Sequence, residues 1–99
     1  MSAKAEDLTI EYEEDGLLLT KVIDKRVLSA GAWATVIYRY QLWDKRTEAY
    51  TDDRYTIRRY RKMEGDYRQQ SKFNISSNRQ ATKLVEVLTE WIGECEEAE

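Results

Sequence analysis

Ala34-Thr35-Val36-Ile37-Tyr38-Arg39-Tyr40-Gln41-Leu42-Trp43 is the stretch that decides the fold. Side chains of a strand alternate between the two faces of a sheet. Val36, Tyr38, Tyr40 and Leu42 therefore share one face, and Thr35, Ile37, Arg39, Gln41 and Trp43 share the other. The stretch is rich in β-branched and aromatic residues and holds no proline or glycine, so it reads as a long strand. Upstream, residues 17–22 read as a second strand, reaching toward Leu28 before a break at Ser29-Ala30-Gly31. Leu8-Thr9-Ile10-Glu11-Tyr12 alternates as a short strand, and Glu13-Glu14-Asp15-Gly16 ends in the Asp-Gly pair favoured in tight hairpins. Downstream, residues 44–48 turn the chain, and residues 54–63 form a strand whose start reaches back to Tyr50 through a bulge at Asp52-Asp53. Glu64-Gly65-Asp66 makes a hairpin loop, and residues 67–75 are the last strand.

The sheet is followed by a helix. In Ser77-Asn78-Arg79-Gln80 the Ser hydroxyl and the Gln side chain can each satisfy an orphan backbone N–H, the capping-box arrangement. Beyond it Ala81, Leu84, Val85, Leu88, Trp91, Ile92 and Cys95 recur at three- and four-residue spacing, one apolar stripe that Val87 broadens. The stripe reads as core, with its far edge available to a partner helix. Glu94, Glu96, Glu97 and Glu99 oppose the negative end of the helix dipole, so the last turn is expected to fray. The class is α+β: an antiparallel sheet of four to five strands, then one C-terminal amphipathic helix. Residues 1–7 are expected as a flexible N-terminus, 8–95 as one domain and 96–99 as an acidic C-terminal tail.

Composition narrows the function classes. The chain has 99 residues and a net charge of −3, yet the charge is unevenly spread. Residues 17–83 carry 15 positive and 7 negative residues, a net of +8, between ends of −5 (residues 1–16) and −6 (residues 84–99). There is no histidine, which removes the usual general base near neutral pH and the commonest transition-metal ligand. The single cysteine, Cys95, allows no intrachain disulfide and sits at an acidic helix end that disfavours a thiolate. No signal peptide and no membrane-length apolar run is visible, which reads as a soluble cytoplasmic protein. Asp52-Asp53 and Glu13-Glu14-Asp15 fall in expected turns, where acidic residues serve turn chemistry rather than a two-metal centre. The four glycines form no phosphate-binding loop. The sequence predicts no catalysis, no metal and no cofactor.

The candidate site is a face of the sheet. With Tyr55, Ile57, Phe73 and Ile75 assigned to the helix-covered face, the opposite face takes Arg54, Thr56, Arg58, Tyr60 and Lys62 from one strand. Arg68, Gln70, Lys72 and Asn74 come from the next, and Arg39, Gln41 and Trp43 from the long strand. Arg and Lys pair with phosphates, Gln and Asn reach base edges, and Tyr60 and Trp43 offer rings for base stacking. The alternative is the solvated face of an antiparallel sheet, where charged residues belong in any case. Against it, the face holds five basic residues from Arg54 to Lys72 and no acidic one. Arg59 and Arg61 fall by strict alternation on the apolar side. The nominated nucleic-acid-binding residues are Arg39, Trp43, Arg54, Arg58, Tyr60, Lys62, Arg68, Gln70 and Lys72.

Lys72-Phe73-Asn74-Ile75-Ser76-Ser77-Asn78-Arg79-Gln80-Ala81, bridging last strand and helix, resembles the junction of the transcriptional coactivator p15 (PC4-like) family. Gly31-Ala32-Trp33 with Gln69-Gln70-Ser71 also resembles small bacterial proteins of the same single-stranded-DNA-binding regulator fold. The resemblance covers residues 17–92 in organisation and the junction alone in sequence. It implies a strongly curved sheet, a homodimer built around the helices, and single-stranded DNA lying across basic and aromatic strand ridges. It also implies a role in transcription regulation or in protecting unpaired DNA. Carried over by position, Arg39, Arg58, Tyr60, Lys62, Arg68 and Lys72 are its candidate contacts. The expected function is single-stranded DNA or RNA binding without catalysis. The alternative is a dimeric protein-interaction module whose basic face meets an acidic partner.

Overall fold

A computed structural model describes residues 4–98, with side chains through Cys95. The strands β1 (Tyr12–Glu14), β2 (Leu17–Ser29), β3 (Trp33–Asp44), β4 (Ala49–Tyr50), β5 (Arg54–Met63) and β6 (Asp66–Ile75) precede the helix α1 (Asn78–Ala98). The strands form one curled sheet in the order β1-β2-β3-β5-β6, with β4 paired to the end of β3. Every pairing is antiparallel. Two-residue loops close the β1–β2 and β5–β6 hairpins, with φ of 52° and 81° at Asp15 and Gly16 and of 51° and 85° at Glu64 and Gly65. Left-handed central residues match the twist of the flanking strands, and glycine takes that conformation without a Cβ penalty.

Register decides which side chains meet. Across β3 and β5, Ala34 pairs with Tyr60, Val36 with Arg58 and Tyr38 with Thr56, so all six share the inner face of the curl. Val36, Tyr38 and Thr56 are fully buried there, with Ala34, Tyr40, Tyr60 and Tyr67 around them. The hydroxyls of Tyr38 and Tyr60 bond to each other at 2.9 Å, which satisfies both inside the core. Burial, then the bond to Tyr60, pushes the Tyr38 hydroxyl far above the ordinary tyrosine range.

The inner face is closed by the N-terminal segment. Residues 5–7, expected within a flexible end, make one 3-10 turn, and Ala5 and Leu8 are buried in the same core as Tyr38, with Ile10 packed against it. Residues 8–11, expected as a strand, pair with no neighbour; β1 begins only at Tyr12. The segment is held by side chains instead. Lys25 donates its Nζ to the carbonyls of Glu6 (2.6 Å) and Leu8, while the Thr9 Oγ1 accepts the amide of Glu11 at 3.1 Å. Partial burial beneath this strap lowers the Lys25 ammonium pKa, opposed by Asp7 and Glu6.

The helix does not do what its stripe predicts. Its start is as expected: the Ser77 Oγ accepts the amide of Gln80 at 3.1 Å. The reciprocal bond reaches one residue further back, to the amide of Ser76 at 2.7 Å. Beyond its first turns α1 leaves the sheet, and Val85, Leu88, Trp91 and Ile92 are all exposed, Trp91 by 59%. The radius of gyration is 16.1 Å, against about 13 Å for a compact chain of this length. The stripe is therefore not core within the chain. α1 runs through Ala98, into the segment expected as the acidic tail, while Glu99 lies outside the described residues.

Candidate nucleic-acid interface

The nine nominated residues do not share a face. Arg54, Arg58, Tyr60 and Lys62 do lie together, as alternation along β5 requires, but theirs is the inner face, with the core. Tyr60 is 5% exposed and bonded to Tyr38, so its ring offers no surface to a base. Arg39 and Trp43 lie on the outer face, because β5 and β3 pair with Tyr55, not Arg54, opposite Arg39. Arg68 is also on the outer face. A bulge between the β5 pairs Arg59–Ser71 and Tyr60–Gln69 makes Gln70 an extra residue on β6, and such an insertion exchanges the faces of everything beyond it. The Gln70 amide is spent within its own strand, donating to the Arg68 carbonyl at 3.2 Å.

Individual partners sort the remainder. Arg39 forms an ion pair with Asp53, which also accepts the Gln41 amide at 2.7 Å; these two bonds, Gln41 first, hold the Asp53 carboxyl below its ordinary pKa. Trp43 packs edge-on against Tyr50 at 5.1 Å, at the opposite end of β3 from Trp33. Arg54 is at the helix root, its Nε 3.4 Å from the Thr51 Oγ1. Lys62 stands 5.0 Å over the Tyr67 ring. Lys72 is exposed and directly opposite Arg58 on the inner face. Arg58 donates its Nε to the Thr56 Oγ1 (3.1 Å) and its Nη1 to the Gln69 Oε1 (2.9 Å).

What register does bring together is an outer-face row on the side that alternation assigns to the helix. Trp33, Arg61 and Arg68 stand in line across β3, β5 and β6, with Thr35, Arg59 and Ser71 as the next row. Trp33 is 39% exposed, and the guanidiniums of Arg59 and Arg61 lie 4.5 and 5.6 Å from its ring, within cation–π range. The corner is fixed from two sides. Lys62 donates its amide to the Ala32 carbonyl at 2.8 Å, and the Tyr67 hydroxyl donates to the Gly31 carbonyl at 2.5 Å while accepting its amide at 3.2 Å. The sequence signal for this row is the Arg59-x-Arg61 alternation, masked by the expectation that the helix covers that face.

The β5–β6 hairpin carries seven cations: Arg54, Arg58, Arg59, Arg61, Lys62, Arg68 and Lys72. Among the described residues the ion pairs are Arg26–Asp24 and Arg39–Asp53, so none of the seven is neutralised by a carboxylate. Among those residues there is also no cluster of three or more metal-ligating side chains, and no helix long and apolar enough to cross a membrane. Compared with protein-family models, curated proteins and solved structures, the chain has no match.

Proposed function

We propose that this protein binds single-stranded nucleic acid without sequence readout, gripping phosphates along the β5–β6 hairpin and presenting Trp33 with the two guanidiniums beside it to the bases. The observation that carries the reading is the set of seven hairpin cations free of carboxylate partners among the described residues, three of them (Arg59, Arg61 and Arg68) on the face of the exposed Trp33 and four on the inner face. Cations without internal partners can pair with phosphates, and a base can stack on an aromatic or guanidinium plane whatever its identity. The role in transcription or in protecting unpaired DNA follows from the p15-like resemblance and is part of the proposal. So is a homodimer: the exposed stripe of Val85, Leu88, Trp91 and Ile92 is an apolar area of the kind that a symmetric pair buries.

Fluorescence anisotropy with labelled single-stranded DNA, single-stranded RNA and duplex tests the reading directly. Contacts to about four to six phosphates predict a log K against log salt slope near −0.7 per contact, with duplex weaker than either single strand. No detectable binding, or binding insensitive to salt, leaves the acidic-protein-partner reading in its place. Light scattering checks the pair; a monomer at micromolar concentration removes it.

A further inference from the structure

We infer that the inner-face cleft between the N-terminal strap and Arg58 is a binding site for a small phosphate monoester carrying a planar ring, that is, one nucleotide unit. The cleft is separate from the outer-face row and of about 400 Å³, inside the roughly 300–1,000 Å³ typical of small-ligand sites. Tyr40 and Leu42 line it from β3, Thr9 and Tyr12 from the strap and β1, and Arg58 and Gln69 from the hairpin.

The chemistry comes from how Arg58 is held. Its Nε and Nη1 are committed to Thr56 and Gln69, which leaves Nη2 for a ligand. Thr56 is wholly buried and its hydroxyl donates to the Asn74 Oδ1 at 2.7 Å, so the anchor beneath the guanidinium is itself fixed. A guanidinium oriented this way, with no carboxylate paired to it among the described residues, is a preorganised phosphate donor. Lys72 sits directly opposite on β6 and adds to the positive potential. The carboxylate on the wall, Glu11, has its Oε2 occupied by the amide of Val22 at 3.1 Å. Tyr40 and Leu42 give the lining an apolar part, and the exposed Tyr12 adds an aromatic one, which suits a ring carried on the phosphate. Other clefts differ: the one at the helix root sets Arg54 beside Asp52 and Asp53, the one between Tyr55 and the first turns of α1 has no cation, and the one between Arg26 and Arg39 has both guanidiniums paired, with Asp24 and Asp53.

The ligand chemistry has two sources, a free mononucleotide or the phosphorylated end of a strand. Isothermal titration of the full chain with adenosine and uridine 5′-monophosphates, adenosine and ribose 5-phosphate separates ring from phosphate. The nucleotides are expected to bind, with nucleoside and sugar phosphate each about tenfold weaker or worse. Arg58→Gln should cost at least about tenfold by removing the charged donor. Gln69→Ala, on an exposed residue whose loss threatens folding less, should cost several-fold by freeing the guanidinium. Glu11→Gln should tighten binding by removing like-charge repulsion. A deoxythymidine hexamer with and without a 5′-phosphate separates the sources. A gain from the phosphate that Arg58→Gln abolishes assigns the strand end, and no gain assigns the free nucleotide. Nucleotide binding absent at millimolar concentration, or unchanged in both Arg58→Gln and Gln69→Ala, overturns the site. Because strand binding is read separately, on unphosphorylated oligonucleotides and Arg59, Arg61 and Arg68 variants, either reading can fail alone.

Discussion

The two ends of the chain meet the sheet in opposite ways. At the N-terminal end, a short irregular segment with two buried side chains, Ala5 and Leu8, completes the core. At the other, a 21-residue helix with a continuous apolar stripe leaves that stripe in solvent. Amphipathicity measures how strongly a face seeks burial, not what buries it. The inner face of the curl is narrow, already filled by Tyr38, Tyr40, Tyr60 and Tyr67, and a strap of small and branched residues fits over it where a helix would not. The outer face is left half covered, with Phe73 50% exposed beside Ile57.

Substitutions can break this contrast. The largest effect is expected from Tyr60→Ala, which empties the inner core and strands the Tyr38 hydroxyl; about 3–5 kcal/mol should be lost in urea unfolding. Leu8→Ala should cost roughly 2–5 kcal/mol, where a frayed terminus would have cost nothing. If Leu8→Ala is silent, the strap does not close the core. On the outer face, Trp33→Ala should weaken single-strand binding by about 1–3 kcal/mol with little change in salt slope. Replacing Arg59, Arg61 and Arg68 together should flatten the slope by about 0.7 for each phosphate no longer gripped and leave the melting temperature nearly unmoved.

Smaller effects sharpen the comparison. The folded chain holds the Tyr38 proton more tightly than the unfolded chain does. Stability from this group is therefore complete below the ordinary tyrosine pKa and declines as pH rises above it. Unfolding midpoints at pH 9 and 11 should converge in Tyr38→Phe relative to the parent. Leu88→Ala should change monomer stability by less than about 0.5 kcal/mol while shifting any monomer–dimer balance; a large loss at high dilution would put the helix back on the sheet. Least of all is expected from Asp53→Asn, which frees Arg39. Asp53 has a lowered folded pKa, so whatever its pair contributes is present above the ordinary carboxylate range and disappears as pH falls through the folded value.

The elements were legible where local chemistry determines them. The β5 strand and the Ser77 cap stand where the residues place them, as does the Glu64-Gly65-Asp66 turn, with Asp66 already in β6. What the sequence could not carry was non-local. Leu8 and Ile10 alternate because one side of an extended segment is buried, and alternation alone does not distinguish a ladder from a strap tied by Lys25. Alternation along β5 was right, but matching β5 to β3 off by one residue put Arg39 and Trp43 beside Arg58 instead of behind it. The extra residue at Gln70 leaves no trace in composition, yet it alone moves Arg68 to the other face. The hairpin cations that the sequence reading set on one face are therefore divided between two.

The strap also sets an order of events in synthesis. Ala5 and Leu8 are made before the rest of the core, yet the pocket that receives them includes Tyr60 and Tyr67, which follow more than fifty residues later. A growing chain cannot seal its core until β6 has emerged, and until then the tyrosine-lined face stays open. Contacts so distant along the chain slow folding and lengthen exposure of apolar surface, which makes residues 5–10 the last to find their place.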